Sequence, residues 1–203
     1  MYKKWGLDFN ALLTFQDGLR GPIIISDFYA PFKFDKQYTM TLADHYHKEA
    51  PALINYYQSP DNYNTYGGTE PVPDSTLING QQGATFPVQA GKTYLFNIIS
   101  MAGFAGHWVQ FNQHTMTVVE IDGVYTVPYV TQQLYVTTAQ RFTVLVTANA
   151  DPSVNYGVIS QMNTQMFDTN KFPQDGSYVS FVCTPVRHLT VSLLLSTNRP
   201  LPI

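Results

Sequence analysis

Tyr94-Leu95-Phe96-Asn97-Ile98-Ile99 carries apolar bulk on both of its alternating faces, which reads as a strand enclosed between two packed sheets rather than one with a wet side. Phe142-Thr143-Val144-Leu145-Val146 repeats the pattern. Outward from this pair, further strands are expected at Gly21 to Ser26, Gln37 to Tyr46, Ser75 to Asn79, His107 to Phe111, Thr115 to Ile121, Gln132 to Thr137 and Tyr156 to Gln161. The two central strands extend over Lys92 to Ser100 and Arg141 to Thr147. β-Branched and aromatic residues fill these segments, and Gly, Pro, Asn-Gly and Asp-Gly punctuate them. Only Lys48 to Tyr57 looks helical, while Ser59 to Pro73 and Asn163 to Gly176 read as loops. The result is an all-β chain folded as a Greek-key sandwich.

The 203 residues include 11 Lys plus Arg and 14 Asp plus Glu, with 44% hydrophobic and 14% aromatic residues. Such a chain buries a sizeable core and is not of the disordered class. A formal net charge of −3 without a basic cluster argues against nucleic acid or an anionic membrane as partner. The single cysteine, Cys183, rules out an internal disulfide. Met1-Tyr2-Lys3-Lys4 is followed by Asp8 and Asn10 without a small-residue cleavage site, so no signal peptide is expected. No apolar run approaches the roughly 20 residues of a membrane helix.

Four kinds of side chain carry candidate chemistry. His45-Tyr46-His47 ends a predicted strand, where residues two apart share a side and two imidazoles can grip one ion. With nothing in the sequence bringing His107 or His114 beside them, ordinary surface or half-buried histidines are the preferred reading. Cys183 has only His188 close by in sequence, and an inert cysteine is the ordinary reading there. No Gly-x-Ser-x-Gly elbow or phosphate loop occurs. The carboxylates of Glu70, in Gly67-Gly68-Thr69-Glu70-Pro71-Val72-Pro73, and of Asp168, in Met166-Phe167-Asp168, stand in the two long loops. Hard carboxylate oxygens suit iron, although exposed loop acids are usually just solvated.

Taken in order, Asp17-Gly18-Leu19-Arg20-Gly21-Pro22-Ile23-Ile24-Ile25, Leu42-Ala43-Asp44-His45-Tyr46-His47, Glu70-Pro71-Val72-Pro73-Asp74-Ser75 with Leu77-Ile78-Asn79, Met116 to Gly123 and Ala139 to Val146 resemble the multicopper oxidases, in particular the fungal ferroxidase branch related to laccases. The resemblance implies a cupredoxin-like sandwich, with residues 17–27 ending a first cupredoxin domain and 28–177 forming the second. Residues 1–16 and 178–203 match no recognised segment. The strand Gly18 to Ser26 would then be stranded in a sheet whose partners are absent.

The family's copper ligands lie in His-x-His and His-Cys-His motifs of its first and third domains. Leu12-Leu13-Thr14-Phe15-Gln16 stands where the first of these belongs, and His45-Tyr46-His47 falls at the family's Asp-Trp-Tyr-His, where no copper binds. Copper is therefore the cofactor of the full-length family, with none expected on this chain, which should not catalyse alone. Glu70 and Asp168 match the positions of the branch's Fe(II)-binding acids.

The implied parent oxidises Fe(II), or a small phenol, and reduces O₂ to water. It is extracellular or associated with the plasma membrane, has first and third cupredoxin domains as partners, and works beside an iron permease. Rival readings are a non-catalytic structural module, an independent metal-binding β protein using His45 and His47, and a carbohydrate-binding sandwich stacking sugars on Tyr56, Tyr57, Tyr63 and Tyr66.

Overall fold

The computed structural model describes residues 6–7, 15–25, 31–149, 155–167 and 179–184. Two stacked sheets form the body. The larger runs in the order β4 (Ser75–Ile78), β3 (Lys36–His45), β5 (Thr93–Ser100), β10 (Arg141–Thr147), β7 (Met116–Ile121), β8 (Val124–Thr131). The smaller is β12 (Val179–Thr184), β11 (Tyr156–Met162), β6 (His107–Phe111), β9 (Gln133–Val136). Consecutive strands repeatedly change sheets, as a Greek key requires, and β3 pairs β5 in parallel while every other pair is antiparallel.

The inner faces close over one core containing Met40, Leu42, Phe96, Ile98, Val109, Phe111, Val144 and Val158. Phe96 is 1% exposed and meets the rings of Phe86, Phe111 and Tyr38 at 5.3, 4.8 and 5.4 Å. Burying such a ring contributes about 1.5–3 kcal/mol, with roughly 0.5–1.5 more from each well-set aromatic pair.

The strand reading holds at β3, β5, β6, β7, β9, β10 and β11, but the second apolar face of β5 has a different cover from the one expected. Asn97 and Ile99 point away from the other sheet. They share a small recess with Thr143, Glu120, Ile23 and Ile24, so the chain before β3 lies across the outer face of the larger sheet. Of the strand expected at Gly21 to Ser26, β2 (Gly21–Pro22) is the part paired among the described residues, with β1 (Gly6–Leu7). The neighbouring residues are tied to the sandwich instead. Arg20 donates to the carbonyls of Met101, at 2.8 Å, and Asp44, at 3.2 Å.

Helix α1 (Ala50–Tyr57) occupies the stretch expected to be helical. Its N-cap residue, Glu49, makes no side-chain cap, and the carboxylate of Asp17 takes the Ala50 N–H at 2.7 Å from 33 residues away. This satisfies one orphan donor of the first turn. The expected loop Ser59 to Pro73 contains a second helix, α2 (Pro60–Tyr66). Ser59 accepts from the Asn62 N–H at 3.1 Å, Pro60 opens the first turn, and Gly67 ends it at φ 69°, a left-handed turn that favours glycine. The strand Val124–Thr131 was also not expected, and Val179–Thr184 pairs with β11 from within the C-terminal tail.

Candidate functional site

Asp44 is wholly buried at the end of β3, and its carboxylate organises the loop after β5. One oxygen accepts from Gln16 Nε2 at 3.2 Å and the Gly103 N–H at 3.0 Å. The other accepts from the N–H groups of Phe104 and Ala105 at 2.7 and 3.2 Å. A buried carboxylate is tolerable only when hydrogen-bonded this fully. Arg20 stands by as the compensating cation. Burial pulls its guanidinium pKa down, and Asp44 opposes that shift. At Gly103 a β-carbon would run into the Gln16 amide, so a side chain there would displace Gln16 from Asp44.

Tyr46 follows on the same strand end and donates its O–H to the Pro71 carbonyl at 3.1 Å. Burial first, then the charges of Asp44, Asp74 and Glu70, push the phenol well above its ordinary range, so it remains a donor. On the other side of Glu70, buried Asn62 of α2 donates to the carbonyls of Thr69, at 3.2 Å, and Tyr57, at 2.9 Å. Glu70 is thus exposed on a backbone gripped at the residue before and the residue after it. The carboxylate borders a cavity of about 590 Å³ walled by Leu53, Ile54, Tyr57, Ile99 and Phe104.

Replacing Asn62 with Ala strips the donor from two carbonyls, and the expected loss is about 1–3 kcal/mol, measured as a shift in the urea midpoint. A loss below about 0.5 kcal/mol would remove Asn62 from this role.

Asp168 lies outside the described residues. Its neighbour Phe167 is buried and stacks on Phe104 with centroids 5.5 Å apart. Val72, two residues past Glu70, packs against the same cluster with Ala105 and Met162. The two acid-bearing loops therefore meet through their apolar neighbours.

The imidazoles divide sharply. His107 is buried, its Nδ1 beside Ser160 Oγ at 2.9 Å and Thr76 Oγ1 at 3.2 Å. His114 uses Nε2 to accept the Asn149 N–H at 3.0 Å and sets Nδ1 on the Asn112 carbonyl at 2.7 Å. His45 is half-buried, His47 is exposed, and their ring centres are 5.3 Å apart. Cys183 pairs in register with Gly157, whereas His107 pairs with Met162, five residues along β11 or roughly 17 Å. Among the described residues, no group of three or more His, Cys, Asp or Glu could hold a metal ion. The residues that sequence reasoning passed over are Asn62, which bonds backbone five and seven residues away, and Tyr46 and Asp44, which bond backbone 25 and about 60 residues away.

No helix among the described residues is long and apolar enough to cross a membrane. The multicopper oxidase family model matches residues 36–180. The iron transport multicopper oxidase FET3 of Gibberella zeae is 39% identical over 168 residues, covering 82% of this chain and 26% of that protein. The crystal structure of Fet3p, a multicopper oxidase that functions in iron import, superposes with a TM-score of 0.79 at 30% identity, over 90% of this chain and 34% of that one. A laccase from Botrytis aclada, at TM-score 0.73 and 22% identity over 92% of this chain and 36% of its own, shares the fold. The chain spans about a quarter of the length of the curated relatives it matches.

Proposed function

The chain belongs to the multicopper oxidase family, and from that premise we propose that it is the iron-facing middle domain of an iron-transport ferroxidase. In this reading Glu70 and Asp168 offer carboxylate oxygens to Fe(II), and the flanking first and third domains carry the copper. The supporting observation is the grip on Glu70: Asn62 holds Thr69, Tyr46 holds Pro71, and Glu70 between them is exposed and lines a cavity. Fixed, exposed oxygen donors are what a hard cation needs.

Copper is the family's cofactor, but the described residues do not supply a blue-copper centre. A blue-copper centre needs a thiolate with two imidazoles. His107 is buried and bonded, and both nitrogens of His114 are engaged. The described residues thus hold and orient substrate, and the electron acceptor belongs to the parts of the relatives that this chain does not span.

Iron binding is tested by anaerobic Fe(II) titration of the chain and its variants. Glu70→Gln keeps the shape and removes the charge. Its expected effect is at least a tenfold weaker Kd, worth about 1.4 kcal/mol, with Asp168→Asn somewhat less. Equal affinities in wild type and both variants would defeat the assignment.

A second reading, a phenol-oxidising parent, draws on the apolar wall of Leu53, Ile54, Ile99 and Phe104, which suits an aromatic ring. It differs in leaving binding indifferent to Glu70→Gln. A purely structural role draws on β8, whose Val124, Val127, Tyr129 and Val130 are all at least 60% exposed and form an edge that an adjoining domain would cover. An extracellular or membrane-associated setting and an iron permease as partner follow from the same premise.

A further inference from the structure

We propose that His45 and His47 together form an exchangeable two-imidazole site for a late first-row divalent ion, Cu(II) most tightly, on the outer face of the larger sheet. The alternation of β3 carries past its last residue. Tyr46 bonds to Pro71, and His45 and His47, which fall on the same alternate positions as Thr41 and Ala43, line with them a cavity of about 710 Å³ that Tyr46 also borders. The backbone between them is fixed by Asp74, whose N–H donates to the His45 carbonyl at 2.9 Å and whose carboxylate accepts the His47 N–H at 2.7 Å.

The ring centres stand 5.3 Å apart. With metal–nitrogen bonds of ~2.0–2.1 Å and each ring centre roughly 1 Å behind its nitrogen, two imidazoles on one tetrahedral ion sit about 5 Å apart. The spacing already present suits chelation, which requires the rings, now edge to face at 82°, to turn about their terminal torsions so that a nitrogen of each meets the ion. Unlike His114, both of whose nitrogens are engaged, and His107, which is buried with Nδ1 on two hydroxyls, these two rings make no side-chain hydrogen bond with any described residue.

The cavity is lined by the acids Asp17 and Glu49 and by the cations Arg20 and Lys48, so its fixed charges balance. Asp17 is engaged at the start of α1, so water fills the remaining coordination positions and the ion exchanges freely. Imidazole donors and the ordering of divalent affinities select Cu(II) ahead of Zn(II), and both ahead of Fe(II).

The test uses the full chain, freed of metal with a chelator, titrated with Cu(II) alone by calorimetry and electron paramagnetic resonance. One equivalent with coupling to two imidazole nitrogens is expected. His45→Gln and His47→Gln should each weaken it at least tenfold, and the double variant should abolish it. His114→Gln and His188→Gln should leave it unchanged. Circular dichroism confirms that the variants fold. Unchanged binding in the double variant, or a wild-type signal without nitrogen coupling, overturns the proposal. Because Glu70 takes no part, Fe(II) binding in the His45 and His47 variants is expected at wild-type strength, and the outcome here is independent of the iron assignment.

Discussion

Asp44→Ala is expected to lower the stability of the fold by about 3–5 kcal/mol, the range for breaking one side of a buried charged network. Three backbone N–H groups, those of Gly103, Phe104 and Ala105, lose their acceptor together with the Gln16 amide, and each orphaned buried donor costs about 1–3 kcal/mol. Arg20 also loses the carboxylate that favours its charge in a buried setting. The damage should spread to the side of the molecule that carries Glu70. Met101, Gly103 and Phe104 wall the cavity at Glu70, and Phe104 is the surface on which Phe167 stacks. Asp44→Asn keeps the shape and one accepting oxygen, so part of the loss should return. Urea unfolding at neutral pH measures both, and a loss under about 1 kcal/mol for the alanine variant would show that water takes over these donors.

The strands were legible where burial imposes a pattern. β6 and β10 fall on the residues expected, because His107–Phe111 and Arg141–Thr147 have to alternate against a core. β8 escaped for the opposite reason. Its residues are exposed on both faces, so no alternation is selected, and Pro128 argues against a strand unless the strand is an edge. It is an edge, and the proline falls where the register with β7 slips between Val118 and Glu120. Helix α2 had its punctuation in plain view, with Ser59, Pro60 and Asp61 before it and Gly67 after. Its interior of Asn, Thr and Tyr has poor helix propensity and no apolar stripe, so the end signals had nothing between them to confirm.

The site divides along the same line. Glu70 stands in a segment crowded by glycines and prolines, and it is exposed as the proposed iron-binding role requires. The residues that hold it were not legible. Asn62 reaches Thr69 across a helix end, and Asp44 reaches Gly103 across 59 positions. Such contacts follow from topology and leave no local periodicity to read. Tyr46 was passed over as the spacer of a His-x-His motif, although its own hydrogen bond to Pro71 is what separates the two histidines from the loop of Glu70.

Acid should unfold this protein earlier than its carboxylates alone would, and His107 is the reason. Burial between the sheets pulls its pKa from 6.5 to about 4, with the nearby charge of Asp44 only partly opposing. Nδ1 faces the hydroxyls of Ser160 and Thr76, and Nε2 is buried without a hydrogen-bond partner among the described residues, so a proton added there has nothing to donate to. Because the folded-state pKa is depressed, the unfolded chain takes up the proton first. The contribution to stability is complete above about pH 6.5 and is lost as pH falls from there through about 4, at up to 1.4 kcal/mol per pH unit and about 3 kcal/mol in all. His107→Gln retains a polar side chain that does not titrate. It should be less stable than wild type at pH 7.5, and the gap should narrow steadily towards pH 4.5 while every other titrating group cancels between the two proteins. Urea midpoints for both across that range measure the gap directly, and a gap independent of pH would mean that His107 titrates alike in the folded and unfolded chains.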